Sequence, residues 1–480
     1  MLGPPISQAA DYWGRKWLLV VLTLFGAIGS VVVARATSMN NAIAGFCIIG
    51  VSYGVQPLLH TVTSEVLPRR WRGYGQAADM ASNCLGSICG LLVGGELSRK
   101  FPVEGFRYYY YMTMGWYVVA ALLCVVAYHP PPTTKQREFR GRTLVKFQQL
   151  DWIGYFLLAV GLVLFCMALS WSQNPYSWSN PHIVATFTVG VVFSLALVVY
   201  ETWIKKDGMF HHGLFTTNRN FSIALFAVFA EGVAFFASNT YFPFQVNLLY
   251  EPDMLIVGAR YSVMLVCAML SAALTGAYCA LVRKVRWITV LAFVIFVAFF
   301  ACMATTDRHT NTAVYGYPVL LGFALGMTLT TLVTVAQLCT PPSLIAAASG
   351  IIISARSLGG TIGIAIYNAL FTSQLVKVGD NVASAVVPLG LSPKHLEDFI
   401  AGLGSHNSTL LESIPGVTPE VITVGMNAYL DTFVKGFQHV WIAAACFVAV
   451  AAVLSVFLFD PSQEFNMHID APVENKFDSD

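Results

Sequence analysis

The sequence predicts an all-α polytopic membrane protein, on three observations. Of 480 residues, 56% are hydrophobic and 11% are charged, against roughly 25% charged in soluble domains. The mean hydropathy is +0.65, and so few charges cannot cover the surface of a water-soluble fold of this size. Twelve apolar runs are long enough to cross the hydrocarbon, which takes about 20 residues. Lys plus Arg number 27 and Asp plus Glu 25, a net charge of +2, so no nucleic-acid partner is expected.

The runs fall at about 17–34, 42–64, 77–97, 108–128, 150–171, 183–203, 221–246, 258–282, 286–304, 314–337, 346–372 and 437–459. The first lacks the early charged region and small-residue cleavage site of a signal peptide. The connections fix orientation. Placing the segment before the first run inside gives inside connections 16 Lys and Arg, among them Arg69, Arg70, Arg72, Lys135, Arg137, Arg140, Arg142 and Lys146. The short outside loops then hold six. This bias predicts that both chain ends are cytoplasmic.

The ten cysteines lie in or beside apolar stretches, without CxxC or Cys/His ligand spacing. They read as small buried hydrophobes rather than disulfides or a zinc site. His211-His212 reads as part of a loop, since adjacent residues on a helix or strand do not converge on one ion. No metal or cofactor is expected. The sequence also lacks G-x-x-x-x-G-K-[ST], H-E-x-x-H and G-x-S-x-G, which disfavours an ATP-driven pump or a hydrolase. The reading is not an enzyme.

Five motifs carry a resemblance. Ser7-Gln-Ala-Ala-Asp11-Tyr-Trp-Gly14-Arg15-Lys16 resembles the G-x-x-x-D-x-x-G-R-[RK] signature of the major facilitator superfamily, with Ser7 for the first Gly. Ser64-Glu65-Val-Leu-Pro68-Arg-Arg-Trp-Arg72-Gly73 looks like the fourth-helix terminus of fungal trichothecene-efflux and siderophore-transporter proteins. Phe46 stands where many drug antiporters of the superfamily carry Arg. Gly86, Gly90, Gly94 and Gly95 resemble an exporter-associated glycine motif, with Leu91 replacing its Pro. The spacing of Gly86, Gly90 and Gly94 puts them on one helix face that a neighbour can approach closely, for packing alone or for transport. Arg356-Ser-Leu-Gly359-Gly360-Thr-Ile-Gly363 resembles the matching helix of the second half. Leu150-Asp151-Trp152-Ile-Gly154 resembles the opening of the two extra spans of the fourteen-helix branch.

The resemblance implies a major facilitator fold with about twelve of fourteen helices in this chain, the first and most of the second being expected to be missing. It divides the chain into the remainder of a first bundle (1–128), a cytoplasmic linker (129–149), two inserted helices (150–203), a second six-helix bundle (204–459) with a long external loop at about 375–436, and a tail (460–480) expected to be disordered. The sequon at Asn407 is a glycosylation candidate on that external loop. The implied activity is proton-coupled efflux of a toxin or other amphiphilic small molecule by a monomer in the plasma membrane. Siderophore-iron uptake is one rival. A non-transporting sensor or inactive fragment is another.

Three groups of site residues follow. Asp11, Gly14, Arg15, Lys16, Glu65 and Arg72 are expected to form a cytoplasmic latch, with Asp11 near the start of the helix beginning close to Ser343 or Leu344 and Arg15 paired to Glu65. Glu231 and Arg356 each lie about ten residues into a span, near mid-depth at 1.5 Å per residue. A carboxylate there is costly and usually functional, so Glu231 is the leading proton carrier and Arg356 its charge partner or a substrate-orienting group. Gln56, Asn83 and Asn239 are the remaining cavity candidates among polar groups that otherwise serve helix–helix hydrogen bonds. The Tyr108–Tyr111 run reads as an interfacial aromatic belt.

Overall fold

The computed structural model describes residues 2–132, 134–139, 141–171, 176, 178–205, 208–216, 218–405, 411 and 413–470. Among them, twelve helices are long and apolar enough to cross a membrane. The face that gathers the basic connections is called the basic face below.

The chain opens with α1 (Gly3–Trp13), which stops at Gly14. Gly14 has φ +89, a conformation that only glycine adopts without strain, and the chain turns there into α2 (Arg15–Ala34). Next come α3 (Met39–Ser52) and α4 (Gln56–Val66), joined by one 3₁₀ turn into a single crossing. They are followed by α5 (Arg72–Lys100) and α6 (Gly105–Ala127). The short α7 (Thr134–Glu138) and α8 (Thr143–Gln149) lie against the end of α1. Trp13 meets Phe147 at 5.0 Å, Tyr12 meets Phe139 at 5.8 Å, and Lys146 Nζ donates to the Tyr12 carbonyl at 2.7 Å.

Two helices, α9 (Trp152–Trp171) and α10 (Pro181–Val199), pack mainly on each other, with a smaller contact between α9 and the eleventh crossing. After the short α11 (Gly213–Thr216) come α12 (Arg219–Leu249), α13 (Met254–Val282), α14 (Arg286–Ala304), α15 (Asn311–Leu338) and that eleventh crossing, α16 (Ile345–Leu375). Side-chain caps set several starts. Asn218 accepts from Asn220 N at 3.0 Å and Asp253 from Leu255 N at 2.9 Å, pairing N–H groups that a helix start otherwise leaves open.

The largest core lies in the second half. Phe293, Phe296, Phe299, Phe300 and Trp441 are fully buried there, and Trp441 Nε1 donates to Gln245 Oε1 at 2.8 Å. The first half holds a smaller core of Ile6, Ala10, Leu19, Leu22 and Leu58. The two halves meet where α5 runs along α13 and where α1 and α4 cross α16. Gly73 lies against Gly276 near the basic face, and Gly95 against the Leu255 backbone at the other end.

Two expectations are corrected. The last crossing, α19 (Pro419–Ser455), begins well before 437. Residues from Pro419 onward bury Val421, Gly425, Thr432 and Phe433 against α17 (Val378–Val386) and α18 (Leu396–Gly404). That stretch is amphipathic, so it reads as loop by hydropathy although its apolar stripe is packed. The tail is ordered from Asp460 through Asp470: Phe465 is buried, and Asp460 Oδ1 accepts from Val285 N and Arg286 N at 2.7 and 2.9 Å. Specific partners outweigh its acidic composition. Asn407 lies outside the described residues.

Candidate transport site and gate

Glycines bring the mid-membrane charges together. A Cβ on Gly232 would stand 2.0 Å from the Arg356 carbonyl, and one on Gly359 would stand 2.1 Å from that of Phe229. The α12 and α16 backbones can therefore touch. Gly360 faces the Phe236 ring and Gly363 the Val233 backbone. Both helices start at the basic face, so Glu231 lies about 18 Å and Arg356 about 17 Å along them at 1.5 Å per residue. At matching depth they form a two-point pair: Arg356 Nε to Glu231 Oε2 at 2.6 Å and Nη2 to Oε1 at 3.0 Å. Glu231 is fully buried, while the Arg356 side chain is 18% exposed with its guanidinium 4.5 Å from the Phe235 ring centre. Two parallel N–H donations are the strongest way an arginine holds a carboxylate. The pair lies wholly within the second half.

Further out along α12, Asn239 is exposed and accepts from Tyr261 Oη at 3.2 Å. Asn83 is exposed on α5, and Gln56 is half-buried at the start of α4. Phe46 is exposed beside Tyr110. Gly86 has no neighbour within 4 Å, and Gly90 and Gly94 face the Tyr109 ring. The close helix approach drawn from that spacing is therefore corrected: Tyr109 fills the groove at Gly90 and Gly94, and α5 touches α13 through Gly73 and Gly95.

The charges near the basic face form a layer across the seam. Arg15 reaches Glu65 at 2.5 Å and Asp11 at 3.5 Å, all three nearly buried. Gly3 lies against Ser354 and Ser7 against Gly350, so α1 and α16 run antiparallel. One further turn of that register puts Asp11 beside the first turn of α16. Lys16 donates to the Val125 carbonyl at 2.8 Å, near the end of α6. Gln337 of α15 contacts Ser64 and receives a bond from Gln76 at 3.3 Å. It donates to Ser349 Oγ at 2.8 Å and to the His60 carbonyl at 3.1 Å. His60 in turn meets Gln76 at 2.6 Å and Asp79 at 3.5 Å.

Arg72 is fully buried. It donates to the Ser64 carbonyl at 2.9 Å, to the Gln337 carbonyl at 3.2 Å, and to Asp470. Asp470, Glu464, Gln76, His60 and Ser349 were invisible as site residues in the sequence, because each acquires its place from partners on distant helices.

An all-helical protein in two halves, with an arginine–carboxylate pair at mid-depth and a polar seam between the halves, has the architecture of a membrane transporter of the major facilitator type. The fold agrees with the crystal structure of the human organic anion transporter MFSD10 (TETRAN): TM-score 0.53 at 14% identity, covering 95% of this chain and 80% of that one. The model of the family "Fungal trichothecene efflux pump (TRI12)" matches residues 5–478, and the chain belongs to that family of efflux transporters. It is 25% identical to the MFS-type efflux transporter pyiT of Pyricularia grisea, over 95% of this chain and 72% of that protein. It is 21% identical to the trichothecene efflux pump TRI12 of Fusarium sporotrichioides, over 95% and 77%. The family and fold are those of transporters.

Proposed function

We propose that this protein exports an amphiphilic small molecule, a toxin or related secondary metabolite, in exchange for protons, as a monomer of the plasma membrane with its basic face in the cytoplasm. The observation that carries the reading is the fully buried Glu231 clasped by the part-exposed Arg356 at mid-depth. Protonation of Glu231 removes the charge that holds Arg356. The guanidinium can then turn to the cavity and to substrate, with Asn239, Asn83 and Gln56 as further polar contacts. Deprotonation recaptures it. The relatives' names, efflux transporters and efflux pumps, support export over siderophore uptake. The basic loops support the orientation, and Asp11, Arg15 and Glu65 serve as a latch that keeps the inside shut.

The test is substrate accumulation by proteoliposomes under an imposed proton gradient. Glu231→Gln is expected to abolish accumulation against the substrate gradient and to flatten the pH dependence, while substrate exchange persists. Accumulation with the wild-type pH profile would refute the assignment.

A further inference from the structure

The ordered tail crosses from one half of the molecule to the other. Its first part belongs to the second half. Asp460 caps the start of α14, Ser462 donates to the Arg283 carbonyl at 2.9 Å, and Phe465 is buried with Cys279, Val335 and Leu338. Its last part belongs to the first half. The N–H groups of Arg69 and Arg70 donate to the carbonyls of His468 and Asn466 at 2.9 and 2.8 Å. Glu464 pairs with Arg69. Asp470, its side chain fully buried, receives Arg69 Nε at 3.0 Å and Arg72 Nη2. Arg72 and Gln337 stand directly on the seam that parts when a two-halved transporter opens at this face.

We propose that Asp460–Asp470 is a strap of the inside gate, and that Asp470 is a positioning residue that sets the balance between the gate's closed and open states. The physical basis is the change in its surroundings. With the gate closed, Arg72 is buried and needs its partner, because an uncompensated buried charge is strongly unfavourable. With the gate open, both groups reach water, where such a pair contributes little. Removing the carboxylate therefore penalises the closed state selectively. The inference rests on alternating access at the basic face and is independent of the role given to Glu231.

Hydrogen–deuterium exchange on the full-length protein in lipid nanodiscs tests it without any substrate. Asp470→Asn is expected to raise exchange at 60–76 and 337–349 by about fivefold or more, the lower end of site-to-site coupling. Exchange in α12 around Glu231 should stay unchanged. Asp470→Glu should restore protection. In transport, Asp470→Asn should lower KM for substrate on the basic-face side together with kcat, as expected when the population shifts toward the open gate. If Asp470→Asn is not recovered folded, Arg69→Gln, which keeps Arg72 on Asp470, should give the same pattern at smaller amplitude. Unchanged exchange at the seam, or faster exchange spread equally through α12, overturns the proposal. Loss of proton coupling in Glu231→Gln with a normal seam response separates the two readings.

Discussion

Glu231 and Arg356 sit on two helices of the same half, whereas Asp470 and Arg72 pair beside the seam, where Arg72 also donates to the Gln337 carbonyl of the second half. The chemistry is alike, a carboxylate gripped by a guanidinium out of water, yet the mechanical consequences differ. A pair inside one rigid bundle keeps its geometry when the halves rock, so the proposed function assigns it to coupling rather than to the gate. A pair buried beside the seam meets water whenever the seam opens, so on the proposed reading it answers to conformation. On these two proposals one molecule uses a single ion-pair chemistry for two tasks, and burial within one half or beside the seam decides which.

The sharpest way to break this comparison is to strand one member of the inner pair. Arg356→Ala leaves Glu231 buried without its partner and should cost about 3–5 kcal/mol, read as a lowered thermal midpoint of the detergent-solubilised protein. Glu231→Gln combined with Arg356→Gln should recover most of that loss. A double variant as unstable as the single one would show that the pair is not the source of the cost. Next in size is Gly359→Val. Its Cβ would meet the Phe229 carbonyl at 2.1 Å, force α12 from α16 and cost about 1–3 kcal/mol, as overpacking does. Transport should fall with it, since the pair loses its alignment. Normal transport by that variant would detach the pair from the helix contact. The smallest effect is expected of Tyr261→Phe, which removes the bond to Asn239. Intramembrane bonds of this kind average about 0.6 kcal/mol, so stability should hardly move. A change in substrate preference would then identify this corner as part of the binding surface.

The twelve crossings were legible because hydropathy is a one-dimensional property. So was the depth of Glu231 and Arg356, which needs only counting along a helix. Their contact was not, because it depends on Gly232 and Gly359 letting two backbones touch, and spacing alone does not say which neighbour arrives. Gly86 shows the reverse: the spacing suggested a packing face, and no neighbour came within 4 Å. The tail misled by composition, since acidic residues read as solvated until Arg69 and Arg72, some four hundred positions earlier, are brought beside them. The early start of α19 was hidden by its partners, because an amphipathic stretch packed on α17 and α18 need not be apolar overall.

That helix carries one more consequence. At 1.5 Å per residue, its 37 residues extend about 55 Å, while the hydrocarbon layer is about 30 Å thick. The surplus rises on the side away from the basic face and bears α17 and α18 as an attached cap. The cap is thus the short arm of a lever whose long arm is part of the second half. A fluorophore or antibody fragment placed on α18 would swing with that half and report its tilt in a living cell, with nothing altered inside the membrane.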